Sequence, residues 1–101
     1  MSVESEKSMD GKTLTIAITG RFDFGSHQAF REAYERFYKE PDVYVVDLKH
    51  TTYMDSSALG MLLLLRDHAG GEHSRIRLVN CSSDVRKILT ISNFSKLFHI
   101  G

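Results

Sequence analysis

The chain has 101 residues, enough for one domain with a single hydrophobic core and too few for two. Its 13 basic and 13 acidic side chains cancel, which argues against a nucleic-acid-binding protein, since such proteins normally carry a basic stripe. The single cysteine, Cys81, excludes an internal disulfide bond and fits a reducing compartment. No signal-peptide pattern opens the chain, and the longest apolar run, residues 61–65, is far shorter than a membrane span. We therefore expect a cytoplasmic protein that contacts neither nucleic acid nor membrane directly.

The first part of the chain predicts a hairpin followed by a helix. Residues 1–11 form a polar arm or a weak edge strand, and the Asp-Gly pair at its end is a turn signal that lets the arm fold back. Residues 14–20 alternate apolar side chains with threonine or alanine, as a strand does. From Ser26, a good N-cap residue, apolar side chains recur at helical spacing, which predicts a surface helix ending before Pro41.

The middle of the chain predicts a buried strand and a second helix. Residues 43–48 are apolar except for one aspartate, the pattern of a strand covered on both faces or lying at the centre of a sheet. Residues 57–69 predict a helix that two glycines terminate. Leu63 and Leu64 fall outside the apolar stripe of this helix. The stripe itself consists of Ala58, Met61, Leu62, Leu65 and Ala69.

The last part of the chain completes an alternation of strands and helices. Residues 75–79 predict a strand, Ser82 or Ser83 then caps a helix, and residues 97–100 predict a short final strand. Such an alternation favours parallel βαβ units with right-handed crossovers. The predicted fold is a single α/β domain over residues 1–101, with a mostly parallel sheet of four or five strands and helices mainly on one face.

A polar turn joins the central strand to the second helix. Asp55, Ser56 and Ser57 are all N-cap candidates, whose side-chain oxygens can accept from the first unpaired N–H groups of the helix. Those N–H groups and the positive end of the helix dipole also favour an anion, including a phosphate on Ser56 or Ser57. From the residue types alone, capping is the more common role for this turn.

This turn resembles the signature of the STAS family, specifically of the bacterial anti-sigma factor antagonists. Residues 55–60 read Asp-Ser-Ser-Ala-Leu-Gly, against the family's Asp-Ser-Ser-Gly/Ala-Leu-Gly between a strand and a helix. The Gly-Arg-Phe-Asp loop at residues 20–23 and the closing segment at residues 84–94 are also similar to the family. The resemblance covers residues 12–100, and its three motifs fall in the order that one domain needs.

The resemblance implies a regulatory switch rather than an enzyme, and no cofactor. By analogy, Ser56 is phosphorylated by a partner anti-sigma factor, a serine kinase with a kinase-like ATPase fold, and the unmodified form binds that partner to release a sigma factor. A PP2C-type serine phosphatase, carried by a response regulator in some relatives, resets the switch. Ser57 is then expected to cap the helix. Asp23 matches an acidic residue near the family's phosphosite, although a role as turn former explains it equally well.

The expected partner-binding surface lies on the second helix. It comprises Leu59 and Gly60 beside the turn, together with Leu63 and Leu64. Leucines off the core stripe and beside a phosphosite indicate a contact patch, and burial under a neighbouring helix is the alternative.

Two other functions stay open at this point. A non-switching STAS interaction module, such as a scaffold or a regulator of a transporter or signalling enzyme, would ignore Ser56. A small serine hydrolase would use it, but the Gly-x-Ser-x-Gly elbow is absent and no histidine can be placed beside Ser56 from the sequence. The five histidines do not have the spacing of a zinc site.

Three features depart from the family pattern. Ala58 stands where many members have glycine, and Arg21 stands where an acidic residue is common. The sequence ends after Ile100 and Gly101 without the C-terminal helix of many relatives, so we expect one edge or face of the sheet to be less covered.

Overall fold

The computed structural model describes residues 2–37 and 40–101. The predicted arm and domain therefore include three positions, 1, 38 and 39, that lie outside the described residues. Short 3₁₀ turns occur at Phe24–Ser26, Gly71–His73 and Phe94–Lys96. The strands and α-helices, in chain order, are β1 (Ser2–Lys7), β2 (Thr13–Phe22), α1 (His27–Glu35), β3 (Val43–Asp47), β4 (Thr51–Met54), α2 (Ser56–His68), β5 (Ile76–Val79), α3 (Ser83–Ile91) and β6 (His99–Ile100).

The strands form one mixed sheet in the order β1-β2-β3-β5-β6, and β4 pairs with the end of β2. Only β1 runs antiparallel to its neighbour within the described chain, as the predicted hairpin requires. The predicted α/β fold with a mostly parallel sheet is confirmed. The short strand β4 was not predicted.

One face of the sheet carries the core. Along β2, Leu14, Ile16 and Ile18 are at most 1% exposed, while the intervening threonines and alanine are partly exposed. The same alternation on β3 leaves Val43 and Val45 partly exposed. Of the two alternatives that the sequence left for this strand, a position at the centre of the sheet is confirmed, since β3 lies between β2 and β5 while one of its faces stays open. The helices cover the face that bears Leu14, Ile16 and Ile18, and each Å² of apolar surface buried there contributes about 25 cal/mol.

Helix boundaries lie close to the predicted ones. The stripe of α2 is buried at Ala58, Met61, Leu62 and Leu65, with Ala69 partly exposed beyond the last turn. Two residues with positive φ then end the helix, Gly70 at 114° and Gly71 at 63°, which is a conformation that glycine adopts without strain. At α3 the choice between two serines is resolved, because the Val85 N–H donates to Ser82 Oγ at 3.2 Å.

Candidate functional site

The strand β4 places the central turn beside the loop that follows β2. β2 and β4 are parallel, and Phe22 pairs with Met54 at their carboxyl ends. The hydroxyl of Thr51 donates to the Ile18 carbonyl at 2.9 Å, which ties the start of β4 to β2. The next residues, Asp23 and the Asp-Ser-Ser turn, therefore leave the sheet side by side. This confirms the predicted position of Asp23 at the same end of the sheet as Ser56.

Asp55 caps α2. Its backbone is extended, with φ −119° and ψ −174°, and its Oδ1 accepts from the Ala58 N–H at 3.1 Å. Ser56 and Ser57 already lie within the helix as its first two residues. The expectation that Ser57 is the cap is wrong, because the capping residue must keep non-helical backbone angles while its side chain turns back to the first N–H groups.

With Asp55 as the cap, Ser56 has no structural task in the described part of the chain. Its side chain is exposed, and its hydroxyl makes no hydrogen bond with residues 2–37 or 40–101. It stands at the positive end of α2. The hydroxyl is therefore accessible to a modifying enzyme without the rupture of any contact in the described residues.

Asp23 organises the neighbouring loop. Its Oδ1 accepts from the Gly25 N–H at 3.1 Å, and its Oδ2 lies 3.2 Å from Arg21 Nε. The Ser26 hydroxyl donates to the Arg21 carbonyl at 3.1 Å and accepts from the Asp23 N–H at 3.2 Å. Ser26 does precede α1 as predicted, but its side chain closes this loop instead of capping the helix. Asp23 is thus both a turn former and a carboxylate at the site.

Two aromatic side chains at the site were missed by the sequence interpretation. The guanidinium of Arg21 lies 4.0 Å from the ring centroid of Tyr53, which is 41% exposed. Phe24 is 78% exposed in the 3₁₀ turn after Asp23. The signal in the sequence was an aromatic residue close to each aspartate, Phe24 directly after Asp23 and Tyr53 two residues before Asp55. Exposed aromatic rings of this kind are frequent in protein–protein interfaces.

The outer surface of α2 forms a ridge that begins at Ser56. Gly60, Leu63 and Asp67 follow at helical spacing and are exposed, with Leu63 39% accessible. Leu59, partly buried, and Leu64, 49% exposed, lie on either side. The two alternatives left by the sequence are thus resolved, since Leu63 and Leu64 are exposed and not buried under a neighbouring helix.

Gly60 has no structural reason to be glycine. It lies in the fifth position of α2, and its φ is not positive. Apart from the adjoining backbone of α2 itself, no described atom lies within 4 Å of the position that a Cβ would occupy. A glycine inside a helix costs about 1 kcal/mol relative to alanine. We call the exposed residues Ser56, Gly60, Leu63 and Asp67, together with the adjacent Leu64, the α2 ridge.

A metal site and a membrane-spanning helix are both absent from the described residues. Residues 2–37 and 40–101 contain no group of three histidine, cysteine, aspartate or glutamate side chains that could hold a metal ion. No helix of that part has the length and apolar composition of a membrane span. Burial raises the pKa of the Cys81 thiol, which keeps it protonated and unreactive at neutral pH.

Known proteins resemble this chain over nearly its whole length. A family model described as "Mlab, STAS domain" matches residues 5–99. A STAS-domain containing protein of Pseudomonas aeruginosa (strain UCBPP-PA14) is 65% identical over 101 residues, the full length of both chains.

Solved structures share the fold at low sequence identity. The anti-sigma factor antagonist SpoIIAA in its unphosphorylated form has a TM-score of 0.81 and 20% identity, over 99% of this chain and 88% of that one. The Bacillus cell fate determinant SpoIIAA in its phosphorylated form has a TM-score of 0.73 and 20% identity, over 99% and 91%. At such identity the likeness establishes the arrangement of strands and helices alone.

Proposed function

This chain belongs to the STAS-domain family, and we propose that it acts as an anti-sigma factor antagonist that phosphorylation of Ser56 switches off. The unmodified form binds an anti-sigma factor with a kinase-like ATPase fold and so releases the sigma factor. That partner, or a kinase like it, phosphorylates Ser56, and a PP2C-type serine phosphatase removes the phosphate. The exchange takes place in the cytoplasm and involves no cofactor of this chain.

The observation that carries the proposal is that Asp55 caps α2, while the adjacent Ser56 is exposed and takes no part in capping. Asp55 holds the start of the helix, so the exposed Ser56 hydroxyl can be modified while the cap stays in place. A protein of the same fold, the Bacillus cell fate determinant SpoIIAA, also exists in a phosphorylated form. A serine that acted only as a cap would be hydrogen-bonded to the helix.

Phosphorylation would change the surface without unfolding the helix. A phosphate adds a charge of about −1.5 to −2 at pH 7, beside Asp55 and at the same end of the sheet as Asp23. The N-terminal dipole of α2 offsets part of this repulsion, which favours a folded domain with a locally anionic surface. A partner that buries the start of α2 would then have to desolvate that charge.

The partner surface that we propose is the α2 ridge with Leu59 beside it. Leu63 and Leu64 supply exposed apolar area, and Gly60 lets a partner backbone approach the helix closely. Ser56 stands at one end of the same ridge, so a phosphate there lies within the contact. The exposed Tyr53 and Phe24 extend the surface past the turn.

The proposal can be tested with four baits in extracts of the native host. Wild type and Ser56→Ala should retain the same anti-sigma partner, and with ATP present only Ser56→Ala should keep it. Ser56→Asp should lose it, and Ser57→Ala should behave as wild type. Phosphopeptide mapping should find the label on Ser56, and label confined to Ser57 would overturn the site. Partner binding that ignores every change at Ser56 would instead identify a non-switching interaction module.

A further inference from the structure

The face of the sheet opposite the helices has a composition of its own. Its centre is formed by Thr13, Thr15 and Ala17 on β2 and by Val43 and Val45 on β3, all partly exposed. These side chains are small or β-branched and carry no charge. None of the described helices covers the surface that they form.

The strand register sets four residues of this face in one row. Glu6 pairs with Thr15, Thr15 with Val45, and Val45 with Arg77, and paired residues on neighbouring strands lie on the same face. The row therefore runs across β1, β2, β3 and β5, and His99, which pairs with Arg77, continues it on β6. Within its first four residues, an acidic and a basic side chain flank two uncharged ones.

The charges at both ends of the row are repeated. Glu4 lies two residues from Glu6 on β1, and Arg75 lies two residues before Arg77, so each shares the face of its neighbour. All four side chains are exposed. The open face thus has an acidic flank, defined by Glu4 and Glu6, and a basic flank, defined by Arg75 and Arg77.

We propose that this open face is the interface of a two-fold symmetric homodimer. The two-fold axis lies in the plane between the two sheets, runs parallel to the strands and passes between β2 and β3. It places Glu6 opposite Arg77 of the second copy and Thr15 opposite Val45 of the second copy. Each of these contacts then occurs twice. Aligned sheets pack about 10 Å apart at about −30°, a distance that long glutamate and arginine side chains can bridge.

The charge pattern selects this arrangement over the alternatives. An axis across the strands would set Glu6 against Glu6 and Arg77 against Arg77, which repel. Pairing through the sheet edges is disfavoured, because β1 has charged side chains along its length and β6 has only two residues. Asp47, the other carboxylate near the centre, lies at the end of β3, where it accepts from Asn80 Nδ2 and the Lys49 N–H, each at 3.0 Å.

The size of the face predicts a weak dimer. Four strands spaced by about 4.8 Å give a surface roughly 20 Å wide. A stable interface needs about 800 Å² on each partner, and this face is smaller. Self-association should therefore be reversible and visible only at high protein concentration.

Charge-reversal variants test the proposal, with self-association measured by sedimentation velocity over a concentration series. Wild type should approach twice the 11.5 kDa chain mass at about 500 μM. Arg77→Glu alone and Glu6→Arg alone should each associate about 100-fold more weakly, because each replaces two attractive contacts by two repulsive ones. An equimolar mixture of the two variants should restore the dimer, since opposite charges then face each other again.

Matched controls separate this effect from net charge. Glu72→Arg and Arg86→Glu make the same charge changes at exposed positions away from the open face, and both should dimerise as wild type does. In wild-type protein, concentration-dependent NMR shifts should centre on Thr15 and Val45, which requires no variant to fold. Wild type that stays monomeric at about 500 μM, dimers that survive either reversal, or a mixture that stays monomeric would each overturn the proposal.

Discussion

Replacement of Gly60 by alanine should stabilise the domain. Gly60 lies inside α2, and apart from the adjoining backbone of α2 itself the added methyl group would meet no described atom within 4 Å. The helix propensities of the two residues differ by about 0.8 to 1.0 kcal/mol, so the free energy of unfolding should rise by about that amount. For a domain of this size, we expect a gain in Tm of about 3 to 8 °C, measurable by scanning calorimetry.

The same change should weaken binding of the anti-sigma partner. We propose that a partner backbone packs closely against Gly60. A methyl group there should therefore lower the affinity for the partner about tenfold or more, as measured by titration calorimetry. Lys87→Ala, at an exposed position of α3, should leave both quantities nearly unchanged. No gain in Tm would refute the assignment of Gly60 to an open helix surface. A gain in Tm with unchanged affinity would show that the partner docks elsewhere.

Three further variants test the site at Leu64 and Asp23 and the core at Tyr44. Leu64→Ala should lower partner affinity about tenfold with little change in Tm, whereas Ile91→Ala, at a 75% exposed position on α3, should change neither; a large loss of stability would place Leu64 in the core. Asp23→Ala should slow phosphorylation of Ser56 in a kinase assay and cost about 1 kcal/mol of stability, because the Gly25 N–H loses its acceptor. If the variant instead unfolds while its folded fraction is phosphorylated normally, Asp23 has only a structural role. Burial raises the pKa of Tyr44 to about 12, so its phenol ionises first in the unfolded state and stability should fall as the pH rises from about 10 to 12. Tyr44→Phe should reduce that fall in urea titrations, and equal slopes for both proteins would contradict it.

Much of the fold could be predicted because local signals and the fold agree. The Asp-Gly turn predicted the β1–β2 hairpin, helical spacing predicted α1 and α2, and the two glycines after α2 marked its end. The strand β4 could not be predicted in this way. Its four residues, Thr51–Met54, have no period-two pattern of burial, and they are extended because the end of β2 pairs with them.

The details of the site depend on tertiary structure in the same way. Asp55, Ser56 and Ser57 are chemically interchangeable as caps, and only the backbone angles that β4 imposes decide between them. Likewise, Arg21 and Tyr53 come together because β2 and β4 are neighbours, not because of their spacing in the sequence. The placement of Ser56 was nevertheless predictable, since its position depends on one strand end and one helix start.

The central claim is that a phosphate on Ser56 decides whether the partner binds. The direct measurement is the affinity of the anti-sigma partner for three forms of the full chain, namely unmodified protein, protein with phosphoserine incorporated at position 56, and protein with phosphoserine at position 57. The account predicts tight binding of the unmodified form and a loss of at least about 100-fold for phosphate on Ser56, with a smaller loss for phosphate on Ser57. Equal affinity of the unmodified form and the form phosphorylated on Ser56 would contradict it.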